Sequence, residues 1–392
     1  MPPRASLKSF LATARSTLKA PASQRPSPLT FVVGNESADL DSLCCAILYA
    51  YLRSHAPPHS LHIPLANLPR ADLGLRTEMT AVLHRVGLAP ADLPTLCELP
   101  AALPPRDTRW LLVDHNALTG PLRCFAGRVV GCVDHHVDEG VVRADARPRV
   151  VEPCGSCMSL VVDECRPAWD ALSREDPRGD DDLVRLGLAA ILLDTVNLTA
   201  ADKVKEKDTR AVRYLAAKMR DPGFALAAFF DDISAVKEDI SDLSFRDILR
   251  KDYKEWYDAG LTLGVSAVVQ GFPYLLRKAQ GTPQSFPEHV AAWAAERSLD
   301  VAAVMTASNP PGGEFQRHLL VWGRTPRGRV AAAKFADIAR ERLRLETWQG
   351  GELDDEGEAR FAWRQGELAA SRKQVAPLLR EAIKMVEKPD YN

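Results

Sequence analysis

The sequence lacks long hydrophobic runs and a strong excess of charge of one sign. No apolar stretch approaches the ~18 residues that a membrane-spanning helix requires, which argues against an integral membrane protein. The net charge of −2 over 392 residues gives no general basic field, so a polyanionic ligand needs a local basic patch. Hydrophobic content of 46% and charged content of 26% are typical of a globular chain and exclude disordered and collagen-like classes.

The number and spacing of the cysteines also do not indicate a disulfide framework. There are eight in 392 residues, and Cys44 and Cys45 are adjacent in an apolar helical run, where free thiols behave as small hydrophobic groups. This usage predicts a reducing compartment.

Acidic residues are missing from the first 35 positions, which carry several basic ones. That bias is typical of a mitochondrial presequence. An apolar stripe with helical spacing in the same segment instead predicts a helix docked on the first domain. The stripe consists of Leu7, Phe10, Leu11, Ala14 and Leu18. We therefore expect a cytoplasmic protein, with a mitochondrial location as the alternative.

The length and the order of apolar segments predict two domains. Strand-like runs at 29–34, 109–115, 128–136 and 149–153 alternate with helical stretches. This order predicts an α/β domain at residues 1–235 with a mostly parallel sheet flanked by helices. This alternation of strands and helices ends over residues 221–256, and new strand candidates follow. They predict a smaller α+β domain at residues 236–392.

Carboxylates recur at the polar ends of these apolar runs, which we interpret as strand ends. Asp39 and Asp41 follow the first run, Asp114 the second, and the triplet Asp134, His135 and His136 the third; Asp194 follows the run GLAAILL. A single Asp at such a place is usually a cap or turn residue. Four such sites with a His pair predict a cluster that holds Mg²⁺ or Mn²⁺, and the histidines favour Mn²⁺ or Co²⁺.

The segments GNESADLDS, DHN, DHH, GSCMSL and DTVNL, in this order, resemble the DHH phosphoesterase superfamily. They are most similar to fungal exopolyphosphatases and their prune-type relatives. The later segments DILRKDYKEW and SRKQVAP resemble the DHH-associated C-terminal domain that family II inorganic pyrophosphatases share. The resemblance covers residues 30 to 390 or so. It implies a DHH domain, then a DHH-associated domain with a mixed sheet, and an active site in the cleft between them.

The same resemblance implies roles for individual residues. It assigns one metal ion to Asp39, Asp114 and Asp194, and a second to Asp41, Asp114, His135 and Asp194. Two divalent cations would then activate a hydroxide, with Asp114 and Asp194 bridging them. His136 becomes a proton or hydrogen-bond donor to the phosphate or leaving group, and Asp134 orients a histidine. The implied substrate contacts are Asn35, His136, Ser156, Lys203, Arg372 and Lys373.

Asn35 departs from the pyrophosphatase pattern, which has a histidine ligand at the matching position. Loss of an imidazole shifts the expected preference from Mn²⁺ toward Mg²⁺. The basic run that includes Lys203 is either a solvated helix or a guide for a long phosphate chain. The pair Cys154 and Cys157 is also compatible with a redox motif, but the flanking segments favour the DHH interpretation.

Three functions remain open at this point. The leading one is an exopolyphosphatase that releases terminal phosphate from inorganic polyphosphate. The alternatives are a pyrophosphatase or nucleotide phosphodiesterase of the same superfamily, and a prune-like interaction protein with weak activity. The intact set of metal-ligand candidates argues against the last of these. No stacking aromatic platform or broad basic surface indicates a nucleic-acid partner. We expect a monomer.

Overall fold

The computed structural model describes residues 4–279, 285–310 and 312–386. Residues 387–392 of the expected second domain lie outside this part. The chain divides into two compact units between Lys237 and Glu238. Each unit has its own apolar clusters, so each has a core of its own.

The first unit is built on a five-stranded sheet in the order β2-β1-β3-β4-β5, with every pair parallel. Its strands are β1 (Leu29–Val33), β2 (His62–Leu65), β3 (Thr108–Val113), β4 (Val129–Asp134) and β5 (Arg149–Val151). The predicted parallel sheet is confirmed. The sequence analysis did not predict β2, which has four residues and contains Pro64. Proline is tolerated there because β2 is an edge strand.

Helices surround this sheet. They are α1 (Leu7–Lys19), α2 (Leu40–His55), α3 (Thr77–Arg85), α4 (Cys157–Glu175), α5 (Asp180–Thr195), α6 (Glu206–Lys218) and α7 (Leu226–Glu238). All five residues of the apolar stripe on α1 are buried. Arg4, just before α1, donates to the carboxylate of Asp180 at 2.8 Å and to the hydroxyl of Tyr51 at 3.0 Å. The segment thus packs into the first core by both apolar and polar contacts.

One expectation about strand ends is wrong. The apolar run before Asp194 belongs to the helix α5, which has 16 residues, most of them buried. A helix that is apolar on all sides cannot be distinguished from a buried strand by periodicity alone. Asp194 therefore lies in the last turn of a helix, whereas Asp114 does follow a strand.

The second unit contains a six-stranded sheet in the order β10-β11-β9-β8-β7-β6. The strands are β6 (Tyr253–Asp258), β7 (Leu261–Val268), β8 (Val301–Thr306), β9 (His318–Gly323), β10 (Leu345–Thr347) and β11 (Arg360–Gln365). Among the described strands of this unit, only β7 and β8 pair in parallel, which confirms the mixed sheet. Its helices are α8 (Phe245–Lys251), α9 (Phe272–Lys278), α10 (Ser285–Glu296), α11 (Pro326–Ala339) and α12 (Arg372–Lys384).

Among the residues that the structure describes, no helix combines the length and the apolar character needed to cross a bilayer.

Candidate metal centre

Asp114, His135 and His136 meet at one edge of the parallel sheet. One candidate ligand atom from each lies within 4.8 Å of the others. The Nε2 atom of His135 is 3.2 Å from Oδ1 of Asp114, and Nδ1 of His136 is 3.8 Å from the same oxygen. The cause is topological, because β3 and β4 are parallel neighbours and their carboxyl ends lie side by side.

Asp114 is held from its other side by two donors. Its Oδ2 accepts hydrogen bonds from Asn35 Nδ2 at 2.8 Å and from Ser42 Oγ at 2.6 Å. Its Oδ1 is thereby turned toward the histidines. Asp114 also has a φ of 62°, in the left-handed region that non-glycine residues rarely adopt. Such strained positions cluster at functional sites, where the surrounding contacts enforce them.

The imidazole of His135 is oriented by the backbone. Its Nδ1 lies 3.0 Å from the carbonyl oxygen of Cys154. Since a carbonyl oxygen only accepts, Nδ1 must carry a proton and donate it. This fixes the ring with Nε2 toward Asp114, which is the orientation that metal-binding histidines use.

Asp134 organises the two histidines without joining the cluster itself. Its Oδ1 accepts hydrogen bonds from the amides of His135 and His136, at 2.8 and 3.2 Å, and lies 2.8 Å from His136 Nδ1. Its Oδ2 accepts from Asn116 Nδ2 at 2.6 Å. Burial opposes its ionisation, but these bonds, led by that of His136, lower the pKa of Asp134. The carboxylate therefore stays charged and anchors His136.

Asp41 lies in the first turn of α2 and is bound by the start of another helix. Its two oxygens accept from the amides of Cys157 at 2.7 Å and Met158 at 3.0 Å, the first residues of α4. The positive end of the α4 dipole favours a carboxylate at this place. Asp39 caps α2 by accepting from the amide of Ser42 at 3.0 Å.

The carboxylates of this region are close enough to repel one another. Burial, followed by the charge of Asp114, raises the pKa of Asp41 to about 6. Burial and the charge of Asp39 raise the pKa of Asp114 to about 6. Burial, with Asp41 and then Asp39, raises the pKa of Asp194 well above its usual range. Asp39 and Asp41 are thus electrostatic neighbours of Asp114, and Asp194 is an electrostatic neighbour of Asp39 and Asp41.

This chemistry fits divalent cations. Buried carboxylates with raised pKa values are stabilised when a cation lies among them. Carboxylate oxygens with an imidazole nitrogen form the donor set that Mg²⁺ and Mn²⁺ accept. Burial opposes protonation of His135, but its hydrogen bonds, led by that to Asp114, and the charges of Asp41 and Asp114 raise its pKa.

Two family models match the chain. Residues 30–191 match the N-terminal domain of the DHH family, and residues 231–382 match the DHHA2 domain. A protein of Schizosaccharomyces pombe named "Putative exopolyphosphatase" is 32% identical over 98% of this chain and 97% of its own length. The chain belongs to the DHH family. The resemblance seen in the five sequence segments is confirmed.

Other proteins are similar to this chain at lower identity. Human "Exopolyphosphatase PRUNE1" is 27% identical over 92% of this chain and 77% of its own length. A "Manganese-dependent inorganic pyrophosphatase" of Methanothrix thermoacetophila is 26% identical over 61% of this chain and 69% of its own. The crystal structure of a "putative family II inorganic pyrophosphatase" from Methanococcus jannaschii covers 91% of this chain and 100% of its own at a TM-score of 0.58. At 20% identity, that structure supports the fold alone.

The remaining predicted substrate contacts of this DHH protein are distributed over both units. Ser156 is fully buried before α4, and its hydroxyl has no hydrogen bond to any residue that the structure describes. Lys203 is exposed on the loop before α6. In the second unit, Arg372 donates to the carboxylate of Asp252 at 2.7 Å and to its carbonyl oxygen at 3.1 Å, while Lys373 is exposed.

The side chain of Asn35 is hydrogen-bonded to Asp114 and to its own loop. Its side-chain nitrogen binds Asp114, and its oxygen accepts from the amides of Ser37 at 2.8 Å and Ala38 at 3.2 Å. An asparagine that folds back on its own loop in this way fixes a turn. It therefore shapes the loop that leads from β1 to Asp39.

One important residue was missed by the sequence analysis. Asp208 is fully buried, and its carboxylate accepts from four donors near the start of α4 and α6. It lies in a run of lysines that we interpreted only for its positive charge. The available signal was its place three residues after Lys205, where an acid completes a capping box at the start of α6.

Proposed function

We propose that this DHH protein is an exopolyphosphatase that hydrolyses the terminal phosphate of inorganic polyphosphate. Its centre would bind two divalent cations, Mg²⁺ or Mn²⁺, through Asp39, Asp41, Asp114, His135 and Asp194. The observation that carries the proposal is the Asp114, His135 and His136 cluster among buried carboxylates of raised pKa. The similarity to a relative named for this activity over 98% of the chain supports the substrate.

When bound, a pair of such cations lowers the pKa of a water molecule and neutralises charge on the phosphate during an in-line displacement. The residues of the protein hold and orient the candidate metal ligands. Asp114 and Asp194 would bridge the two sites, and the carbonyl of Cys154 keeps the His135 ring in its ligating orientation. Asn35 and Ser42 hold the second oxygen of Asp114, so that its first oxygen stays toward the histidines.

His136 is the proposed proton donor to the leaving oxygen. Its Nδ1 lies 2.8 Å from Oδ1 of Asp134, which orients the ring. A protonated ring in this orientation would donate a hydrogen bond or a proton to phosphate through Nε2. The side chain of His136 is 36% exposed, so substrate can reach it.

The remaining proposed substrate contacts are Asn35, Ser156, Lys203, Arg372 and Lys373, and of these Ser156 is fully buried when no substrate is bound. Arg372 has a planar fork suited to two phosphate oxygens, and Lys373 adds a point charge. In the second unit Asp252 holds the Arg372 fork, which limits its rotamers before substrate binds. The exposed Lys203 would meet a long chain beyond its first phosphates.

A pyrophosphatase is the second candidate, because relatives of that activity share the family and the fold. The same two-metal chemistry serves pyrophosphate and cyclic nucleotides as well. A non-catalytic, prune-like role is disfavoured by the presence of every candidate ligand. A cytoplasmic location and a monomeric state remain predictions.

The deciding experiment measures phosphate release from pyrophosphate, tripolyphosphate, long polyphosphate and a cyclic nucleotide, each with Mg²⁺ and with Mn²⁺. We expect the highest kcat/KM on polyphosphate of three or more phosphates. Asp114→Asn is the inactive control, and exposed Asp202→Asn is the matched active one. Turnover of pyrophosphate alone would establish the second candidate, and absence of turnover on every substrate would contradict both.

A further inference from the structure

Backbone amides at the start of α4 donate hydrogen bonds to two carboxylates from different parts of the chain. The first amides of a helix have no partner within it. Here the amides of Gly155 and Ser156 donate to Asp208 at 2.9 and 3.3 Å, whereas those of Cys157 and Met158 donate to Asp41. Four consecutive amides are therefore taken by carboxylates, which leaves this helix start little capacity to bind phosphate through its backbone.

Asp208 is held more firmly than a surface cap. Besides the two amides, it accepts from Ser159 Oγ at 2.6 Å and from the amide of Lys205 at 2.7 Å. The side chain is fully buried. A buried carboxylate with four donors has its hydrogen-bonding capacity satisfied. Loss of any of these bonds would leave a buried polar group without a partner, which costs free energy. Asp208 thus connects the start of α6 rigidly to the start of α4.

Gly155 shows how closely these segments pack. A Cβ atom at this position would lie 2.7 Å from Cγ2 of Thr195 and 2.9 Å from Oδ2 of Asp208. Thr195 directly follows the candidate ligand Asp194. The segment 154–158 therefore fits between Asp208 on one side and the end of α5 on the other.

The same segment holds two candidate metal ligands. Its amides at Cys157 and Met158 bind Asp41, and its carbonyl at Cys154 orients His135. A shift of this segment would therefore move both ligands together. Among the residues that the structure describes, Asp208 has no hydrogen bond to Asp41 or His135, and the one candidate substrate contact to which it is hydrogen-bonded is Ser156, through the backbone amide.

We propose that Asp208 is a positioning residue for the metal centre, which fixes segment 154–158 and through it Asp41 and His135. This inference rests on the proposed metal assignment and extends it to a residue outside the ligand set. Loss of the Asp208 contacts should weaken cation binding more than it changes turnover by the fully loaded protein. Residues that orient ligands in this way contribute about 10- to 100-fold to metal affinity or activity.

The test compares Asp208→Asn with Asp202→Asn in the full chain. Asparagine has the same shape but turns an NH₂ group toward donors, whereas Asp202 is exposed on the same segment. Mn²⁺ affinity is measured by electron paramagnetic resonance of the free ion, and phosphate release is titrated with Mn²⁺. We expect about 10- to 100-fold weaker Mn²⁺ binding in Asp208→Asn, with kcat largely recovered at saturating Mn²⁺ and no change in Asp202→Asn.

Circular dichroism of the metal-free proteins separates positioning from folding. Unchanged Mn²⁺ affinity in a folded Asp208→Asn protein would overturn the inference. If that variant does not fold, Ser159→Ala decides, because it removes a single donor to Asp208; weaker Mn²⁺ binding supports the inference and wild-type binding overturns it. Since Mn²⁺ binding is measured without substrate, an absence of polyphosphate hydrolysis would contradict the proposed function and leave this inference standing.

Discussion

At the scale of single residues, the centre depends on carboxylates whose hydrogen bonds leave one face available to a cation. Asp114 has Oδ2 occupied by Asn35 and Ser42 and Oδ1 directed toward His135. The DHH segment could be located from the sequence because its residues are adjacent. The contacts that orient these residues and Asp114 could not, since Cys154, Asn116 and Asn35 are 19, 18 and 79 residues from their respective partners His135, Asp134 and Asp114.

The first prediction concerns the two proposed bridging residues. Asp194→Ala removes an oxygen donor from both cation sites, so phosphate release should fall by several orders of magnitude. Asp114→Asn should have a similar effect while its amide oxygen still accepts from Asn35 and Ser42. Activity and Mn²⁺ affinity are measured on protein whose circular dichroism matches wild type. Near-normal turnover in folded Asp194→Ala would contradict the two-metal assignment.

The second prediction concerns pH. Because the pKa values of Asp41 and Asp114 are raised to about 6 in the absence of cations, protons compete with metal at these oxygens. Lower pH favours the protonated form, so Mn²⁺ affinity should fall as the pH decreases through about 6. Titration calorimetry between pH 5.5 and 8, in two buffers of different ionisation enthalpy, should detect proton release on binding. Affinity that is constant over this range would contradict the raised pKa values.

At the scale of elements, the site uses the ends of strands and the starts of helices. The strands β1, β3, β4 and β5 were predictable because apolar runs identify them. The edge strand β2, which has four residues and a proline, and β6, half of whose residues are exposed, were not predicted. Asp208 was overlooked for a similar reason, because its partners on α4 are about 50 residues away in the sequence.

The third prediction tests the attachment of the N-terminal segment. Arg4 donates to Asp180 at 2.8 Å, with side chains only 2% and 4% exposed, and Trp169 Nε1 donates to the same carboxylate oxygen at 2.9 Å. Arg4→Ala leaves Asp180 buried without its countercharge, which costs about 3–5 kcal/mol. Urea unfolding of the metal-free protein measures this, with the exposed Lys8→Ala on α1 as control. A loss below about 1 kcal/mol, the range of surface ion pairs, would contradict the argument.

At the scale of the whole molecule, the two sheets and their types followed from the order of apolar runs and from the family resemblance. The role of the second unit is harder to predict from the sequence than its fold is. The segment SRKQVAP identified Arg372 and Lys373, but it gave no indication that Asp252 would hold the guanidinium of Arg372. That pairing depends on the fold of the second unit, which brings Arg372, the first residue of α12, next to Asp252.

The last prediction separates the roles proposed for the two units. Every proposed metal ligand lies between Asp39 and Asp194, in the first unit. Mn²⁺ alone should therefore slow amide hydrogen exchange in the segments that carry these ligands and in segment 154–158. It should leave the start of α12, from Ser371 to Gln374, unchanged. Binding stabilises the regions that it orders, so exchange reports which unit responds.

An imido-bridged triphosphate, added with Mn²⁺, supplies phosphate oxygens without hydrolysis of its bridging bonds. If Arg372 and Lys373 bind phosphate, exchange at Ser371–Gln374 should then slow as well. Arg372→Ala should abolish this second effect and retain the first, whereas Arg372→Lys keeps the charge without the planar fork and should retain part of it. If the analogue leaves α12 unchanged in wild type, Arg372 serves the second unit through Asp252 alone, and its assignment as a substrate contact is wrong.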